Sequence, residues 1–289
     1  MLVNMKEMLE DAEKNNYAVG SFNTPNFETL KAVIHAAEDM NSPVIIDHAQ
    51  GHEPLVKMET IAPLMLEYAK KAKVPVCVHI DHASDFNFAM RAVRCGFTSI
   101  MYDCSAKPFE ENVKAVKDFV AMVHPLGITV EAEVGDMPNN MPTKVPGQEK
   151  SDLSDLSKYF TKPDEAAKFC ELTHCDALAI SVGTVHGMYE SKPVLDLKRI
   201  QEIRSKTPKE TKLVLHGGSG TGEKQIRAAI SSGIRKINYF TAMDTAPAAE
   251  LSKMIQDANG LINYSVLADK AENVLYEKCK EAIGYFLNR

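Results

Sequence analysis

Strand-like and helix-like segments alternate along the whole of this chain, and that rhythm restricts it to parallel α/β architectures. The apolar pattern predicts strands over 17–23, 43–47, 74–81, 98–103, 128–135, 176–182, 212–216 and 235–239. Helices are expected over 28–40, 58–72, 85–95, 108–124, 163–173, 196–206, 223–232, 241–256 and 268–286. Within 108–124, for example, Val113, Val116, Phe119, Val120 and Val123 fall on one side of a helix. Parallel strands joined by helices form right-handed β-α-β units. Eight units in about 250 residues suit a closed (β/α)8 TIM barrel. The competing doubly wound sheet lacks its glycine-rich first turn here. No linker or low-complexity segment interrupts the 289 residues. Residues 1–289 are therefore expected to form a single α/β domain, with 257–289 as a C-terminal helical extension.

One stretch breaks the rhythm. Residues 136–160 hold Pro138, Asn139, Asn140, Pro142, Pro146 and Gly147. Structureless loops of this length are uncommon in compact domains and often act as lids. Following the fifth strand, it would hang over the catalytic face of a barrel; a surface insertion without a role is the alternative.

Bulk properties remove several function classes. The formal charge is −6 with no basic block, which argues against a nucleic-acid partner. No apolar run approaches the roughly 18 residues of a membrane span. The acids in the first turns argue against a signal peptide. Six cysteines, at 77, 95, 104, 170, 175 and 279, form no C-x-x-C pair, and a reduced, cytoplasmic setting is expected.

Three histidines then stand out. His82, His186 and His216 each close an apolar run that reads as a buried strand. Parallel α/β folds gather their chemistry at convergent strand ends. Three imidazoles with an open fourth position make a catalytic zinc site. Strict alternation places His79 and Asp81 on one face and His82 on the other, unless the strand turns near Ile80. On the fifth strand, Glu131 and Glu133 share a face among apolar neighbours. They are expected either to join the polar centre or to form an internal ion pair, for instance with Lys107 or Arg91. Gly217-Gly218-Ser219-Gly220 follows strand seven, and Lys236-Ile237-Asn238 leads from strand eight to Thr241 at a helix start. Loops after strands seven and eight are the usual barrel phosphate site; a plain tight turn is the other reading of the glycines.

With these residues in place, the chain resembles the class II, metal-dependent ketose-bisphosphate aldolases, a group that includes fructose- and tagatose-bisphosphate aldolases. The resemblance runs from the N-terminus to about residue 255 and rests on Phe22-Asn23, His79-Ile80-Asp81-His82, Val130-Glu131-Ala132-Glu133-Val134-Gly135, Gly183-Thr184-Val185-His186-Gly187, Leu215-His216-Gly217-Gly218-Ser219-Gly220, and Lys236-Ile237-Asn238 with Thr241. It implies reversible cleavage of a ketose (bis)phosphate to dihydroxyacetone phosphate and an aldehyde, through an enediolate whose charge zinc stabilises. It assigns zinc to His82, His186 and His216, a second-site or alternate ligand role to Glu133, and the acid/base to Asp81. Asn23, Gly187, Gly217, Ser219, Asn238 and Thr241 would bind the substrate and its phosphate. A monovalent cation (Na+ or K+) and a homodimer or homotetramer are also implied. The family's loop glutamate lies in a G-G-x-E-D pattern, whose nearest match is Pro146-Gly147-Gln148-Glu149-Lys150, pointing to Glu149. A metal-dependent sugar-phosphate isomerase or epimerase is the alternative activity, and a non-catalytic barrel would have lost a ligand or Asp81.

Two departures bear on substrate. Ala49 stands where relatives that take a second phosphate often carry serine, and Asp47 and His48 precede it. Ala242 replaces the acid that often follows the threonine after strand eight. Asp47 and His48 are thus candidates for setting specificity, and the aldehyde half is expected to differ from glyceraldehyde 3-phosphate.

Overall fold

The structure, a computed structural model, describes residues 1–140, 151–187, 189 and 193–288. Eight parallel strands close into a barrel: β1 Val19–Asn23, β2 Val44–Ala49, β3 Val76–Ala83, β4 Ser99–Tyr102, β5 Thr129–Val134, β6 Ala177–Ile180, β7 Lys212–Leu215 and β8 Ile234–Asn238. The ring shuts where β8 pairs with β1, Lys236 opposite Val19 and Asn238 opposite Ser21. The TIM barrel expected from the rhythm of the sequence is the fold, with strand limits shifted by one or two residues.

Period-two alternation divides the barrel interior into an apolar floor and a polar top. Val19, Ile45, Cys77, Met101, Ala177, Ala179 and Val214 pack together at the floor. One step further along the same inward faces come Ser21, Asp47, His79, Glu131, His216 and Lys236, all with 0% exposure. The outward-facing residues pack against the helices in a second, larger core.

The floor is plugged by a helix that the strand-centred reading overlooked. Met5–Asn15 turns Met5, Met8, Leu9 and Ala12 into the barrel, and the Asn4 side chain caps it by accepting from the Glu7 N–H at 3.1 Å. The i, i+3, i+4, i+7 spacing was present in the sequence. The single helix expected over 241–256 is two, Thr241–Thr245 and Pro247–Asp257, because Pro247 has no N–H to continue the ladder.

The C-terminal helix, Tyr264–Phe286, is present but is not an appendage. It packs between the helices Phe27–Asp39 and Glu223–Ser231 and so takes the eighth place in the outer ring. Lys31 pairs with Glu272, and Arg227 donates to the Gly284 carbonyl at 3.3 Å. At its end Phe286 is 2% exposed and packs on Phe22 and Tyr239. Gly20 makes room for it: a Cβ there would lie 2.9 Å from the Phe286 ring. Phe286→Ala should therefore lower the unfolding free energy by about 3–5 kcal/mol, as for a buried core aromatic. Denaturant melts would check this; a loss below about 1 kcal/mol, typical of a surface change, would make the helix peripheral.

Candidate metal centre

The centre is assembled by a bulge in β3. Ile80 pairs with Ile100 of β4, but the next pair is Ala83 with Tyr102, so three steps on β3 face two on β4. The extra residue is absorbed around His82, whose φ of 103° is unusual for any residue but glycine. Asp81 and His82, adjacent in sequence, therefore both reach the same site, with His82 Nε2 3.7 Å from Asp81 Oδ1. Backbone strain of this kind costs about 1–3 kcal/mol and tends to occur at functional sites.

His216 immediately follows β7 and is fully buried. His186 is not at the end of β6 as the sequence suggested. That strand stops at Ile180, and His186 lies six residues on, in a two-residue strand, His186–Gly187, that pairs with Asn139–Asn140. Its N–H also donates to the Pro138 carbonyl at 2.8 Å. The first residues of the 136–160 segment thus hold a candidate ligand in place. The loop between β6 and His186 turns at Gly183, where φ is 116° and a Cβ would meet the Val194 carbonyl at 2.5 Å.

The three imidazoles converge. His82 Nε2 is 3.0 Å from His216 Nδ1, and His186 Nε2 is 3.4 Å from the same nitrogen. Behind them, His82 Nδ1 donates to Asp103 Oδ2 at 2.8 Å, and His216 Nε2 to Glu131 Oε1 at 2.9 Å. Carboxylates only accept, so these outer nitrogens carry the protons. In the neutral rings the inner nitrogens turn lone pairs toward one another, an arrangement relieved either by a proton, which the raised His82 carries when no metal is bound, or by a metal ion. Two nitrogens bound tetrahedrally to zinc at about 2.0–2.1 Å would lie about 3.3 Å apart, close to both observed spacings. Burial, then the His82 charge, lowers His186 to about 3, which keeps its imidazole neutral. At His82 burial is outweighed by Asp81 and Asp103, which raise it to about 10 and mark the site as one that holds positive charge.

Asp81 stays ionised: against its burial, His82, His216 and Lys236 hold its carboxyl well below the usual range. Asn23 Nδ2 donates to Oδ2 at 3.2 Å and Asn238 Nδ2 to Oδ1 at 2.9 Å. Lys236 Nζ, also fully buried, donates to Asn238 Oδ1 at 2.7 Å, fixing which way that amide faces. The same ammonium lies 2.9 Å from Glu131 Oε2. Glu131 does form an internal ion pair, but with Lys236 rather than Lys107 or Arg91; Arg91 is outside, 2.7 Å from Glu59. Lys236, with His216, holds Glu131 down at about 2 despite burial. Glu133 behaves oppositely: burial and the nearby Asp103 push it well up. It forms a second potential metal group with His82 and Asp103.

Next to the imidazoles lies the glycine turn. Gly217 has φ 64°, and a Cβ there would sit 2.3 Å from the Val185 carbonyl. Gly218 leaves no room either, with the Asn238 carbonyl 2.7 Å from its would-be Cβ. Ser219 Oγ accepts from the N–H groups of Phe240 and Ala242 at 3.1 and 3.3 Å, which ties the turn to the start of the Thr241–Thr245 helix. Gly217 and Ser219 thus follow closely on His216, Gly187 follows His186, the Asn238 carbonyl accepts from the Gly218 N–H at 3.0 Å, and Thr241 lies between the two residues whose amides Ser219 binds. Tyr189, which sequence reasoning missed, ties the segment before His186 to the glycine turn: its hydroxyl accepts from the Val185 N–H at 3.0 Å and donates to the Gly217 carbonyl at 2.7 Å.

The two specificity candidates are both buried. Asp47 is fully buried, accepts from Ser21 Oγ at 2.7 Å, and is pushed up by burial and then Asp81. His48 is equally buried and faces Glu53, 3.6 Å away. Neither opens onto solvent. Glu149 lies outside the described residues.

Fold and site together define a (β/α)8 barrel with a three-imidazole candidate metal centre. The sequence model of the class-II fructose-bisphosphate aldolase family matches residues 3–289, and the chain belongs to that family. It is 40% identical over 244 residues to the uncharacterized protein YdjI of Escherichia coli K12, covering 84% of each chain. It is 36% identical over 282 residues to the sulfofructosephosphate aldolase of Alkalicoccus urumqiensis, covering 97% of this chain and 95% of that one. Among solved structures, the YdjI aldolase superposes with a TM-score of 0.85 at 36% identity, over 99% of this chain and 97% of the other. A putative fructose-1,6-bisphosphate aldolase from Coccidioides immitis gives 0.83 at 27%, over 98% and 95%. The chain is accordingly an aldehyde-lyase acting on ketose phosphates, as the sequence motifs implied. No described helix is long and apolar enough to cross a membrane.

The buried charges give a test independent of metal. Lys236→Met strands Glu131 without its counter-charge and should cost about 3–5 kcal/mol. Adding Glu131→Gln should recover much of that loss in denaturant melts. A double variant no more stable than the single would show that the pair is not coupled in this way.

Proposed function

We propose that the chain is a zinc-dependent aldolase in which His82 Nε2, His186 Nε2 and His216 Nδ1 hold the metal. The observation that carries this is the convergence of inner lone pairs backed by Asp103 and Glu131. Carboxylates behind ligating imidazoles fix the tautomer and raise basicity. When bound, zinc supplies Lewis-acid stabilisation of the negative charge that develops on the ketose oxygens as the C3–C4 bond breaks.

The chain's own residues do the rest. Asp81 is ionised and held by two amide donors beside the centre, so it can take the proton from the C4 hydroxyl as the aldehyde departs. Reversal returns that proton. Gly187, Gly217, Ser219, Asn238 and Thr241 line the side where the dihydroxyacetone phosphate group binds, with a monovalent cation (Na+ or K+) held by carbonyls near the glycines. Asn23 steadies Asp81 from the other side. Glu133 serves as a second-site or alternate ligand, and Glu149 is assigned the proton exchange at the carbon of the dihydroxyacetone phosphate fragment. Lys236 is committed to Glu131 and Asn238, which supports a metal route over a Schiff base.

The substrate is read as a ketose 1-phosphate whose far end is not a phosphate. Asp47, His48 and Ala49 lack the serine pattern, and one relative is named for a sulfofructose phosphate. A cytoplasmic homodimer or homotetramer completes the reading.

Chelator should abolish dihydroxyacetone phosphate release, and zinc should restore it. Borohydride with substrate should leave no lysine adduct; a stable adduct would overturn the metal route. Asp81→Ala should keep zinc yet lose most cleavage, whereas loss of metal in that variant would mean Asp81 has another role. Asp103→Asn should weaken zinc by about 10–100-fold, read by chelator competition. A panel of ketose phosphates would settle the far end: clear preference for fructose 1,6-bisphosphate would sink the substrate reading.

A further inference from the structure

His52 was not singled out by the motifs, yet the fold brings it to the mouth of the barrel. It lies in the short helical turn Gln50–His52 that follows β2. Its ring packs on Phe240, 5.2 Å between centroids, and Phe240 follows β8. Strand β1 separates β2 from β8 in the ring, so this contact spans the carboxyl end of β1, where Asn23 holds Asp81. The turn is anchored by Gln50 Oε1, which accepts from the Ser84 N–H at 3.1 Å, just past the bulge that carries His82.

The imidazole has no internal task that accounts for it. Its neighbour His48, 6.0 Å away between centroids, faces Glu53. Glu53 is in turn taken by Arg91 and by the Met58 N–H. His52 Nδ1 is buried and has no hydrogen-bond partner among the described residues. With no acceptor at Nδ1, the ring proton belongs on Nε2. Burial, and then His48, lowers His52 to about 4, so at neutral pH it is an uncharged hydrogen-bonding group; Asp81 pulls weakly the other way, consistent with their proximity.

We propose that His52 contacts the aldehyde half of the substrate beyond C4, donating to an oxygen there, and so sets which aldehydes the enzyme joins or releases. This rests on the reading of Asp81 and the three histidines as the reacting centre. The dihydroxyacetone phosphate half is read as binding at the glycine turn, which holds the Phe240 N–H through Ser219, while His52 packs on the Phe240 ring. A neutral donor suits a hydroxyl or another uncharged oxygen, whereas Arg91 is committed to Glu53 and Glu59.

The test uses the zinc-loaded full chain and its His52→Ala and His52→Gln variants in the condensation direction. Dihydroxyacetone phosphate is supplied with D-glyceraldehyde, or with formaldehyde, which has no atom beyond C4. Exchange of the dihydroxyacetone phosphate C–H with solvent deuterium is followed separately by NMR. His52→Ala should lower kcat/KM for D-glyceraldehyde about tenfold, the effect of losing one hydrogen bond to a desolvated group. It should change formaldehyde condensation and solvent exchange by less than about twofold, and His52→Gln should recover part of the loss. An equal loss for both aldehydes, or no loss for D-glyceraldehyde, overturns the role. Absence of exchange in the unaltered enzyme would instead overturn the reading of the reacting centre, and this proposal with it.

Discussion

Everything at the top of this barrel depends on how the fully buried Glu131 is neutralised. An isolated carboxylate in such a place would be prohibitively costly. It is tolerated because Lys236 stands 2.9 Å away and His216 donates to it at 2.9 Å. Each partner then acts elsewhere. The imidazole turns its other nitrogen toward His82 and His186, and the ammonium orients Asn238, which holds Asp81. One carboxylate therefore links the candidate ligands to the candidate acid/base. The apolar floor beneath, sealed by Met5, Met8 and Leu9, keeps that network in a low-dielectric setting where each contact is strong.

The sequence disclosed the barrel because buried parallel strands are written as apolar runs, and it disclosed the histidines because such runs have little use for imidazole. Periodicity failed where the backbone departs from regularity. The bulge at His82 brings neighbouring residues to one site, and no alternation rule foresees that. His186 reaches the centre through a separate short strand whose partner, Asn139–Asn140, looked like plain loop. Asp103 and Tyr189 act only through other residues, so their sequence surroundings gave no signal. The complete burial of Asp47, beside the Asp81 charge, and of His48, against Glu53, was likewise not written in their sequence surroundings.

The glycine-rich turn is fixed first by packing. Gly217 and Gly218 are required on steric grounds alone, since a Cβ at either would strike a backbone carbonyl. The same tightness brings Ser219 against the amides of Phe240 and Ala242. A turn built for packing is thereby placed at the usual phosphate position of a barrel.

The docking of the C-terminal helix has a consequence for biogenesis. The Ala18 N–H donates to the Phe286 carbonyl at 3.0 Å, and Phe286 covers the start of the first barrel strand. A strand made early in synthesis thus finds its cover only once Phe286 has emerged from the ribosome. Domains with such long-range closure fold slowly and expose apolar edges meanwhile. A chain cut before Phe286 would leave the ring unfinished at its first strand, so the seam of Phe286 with Ala18 and Phe22 sets when the nascent protein becomes safe from aggregation.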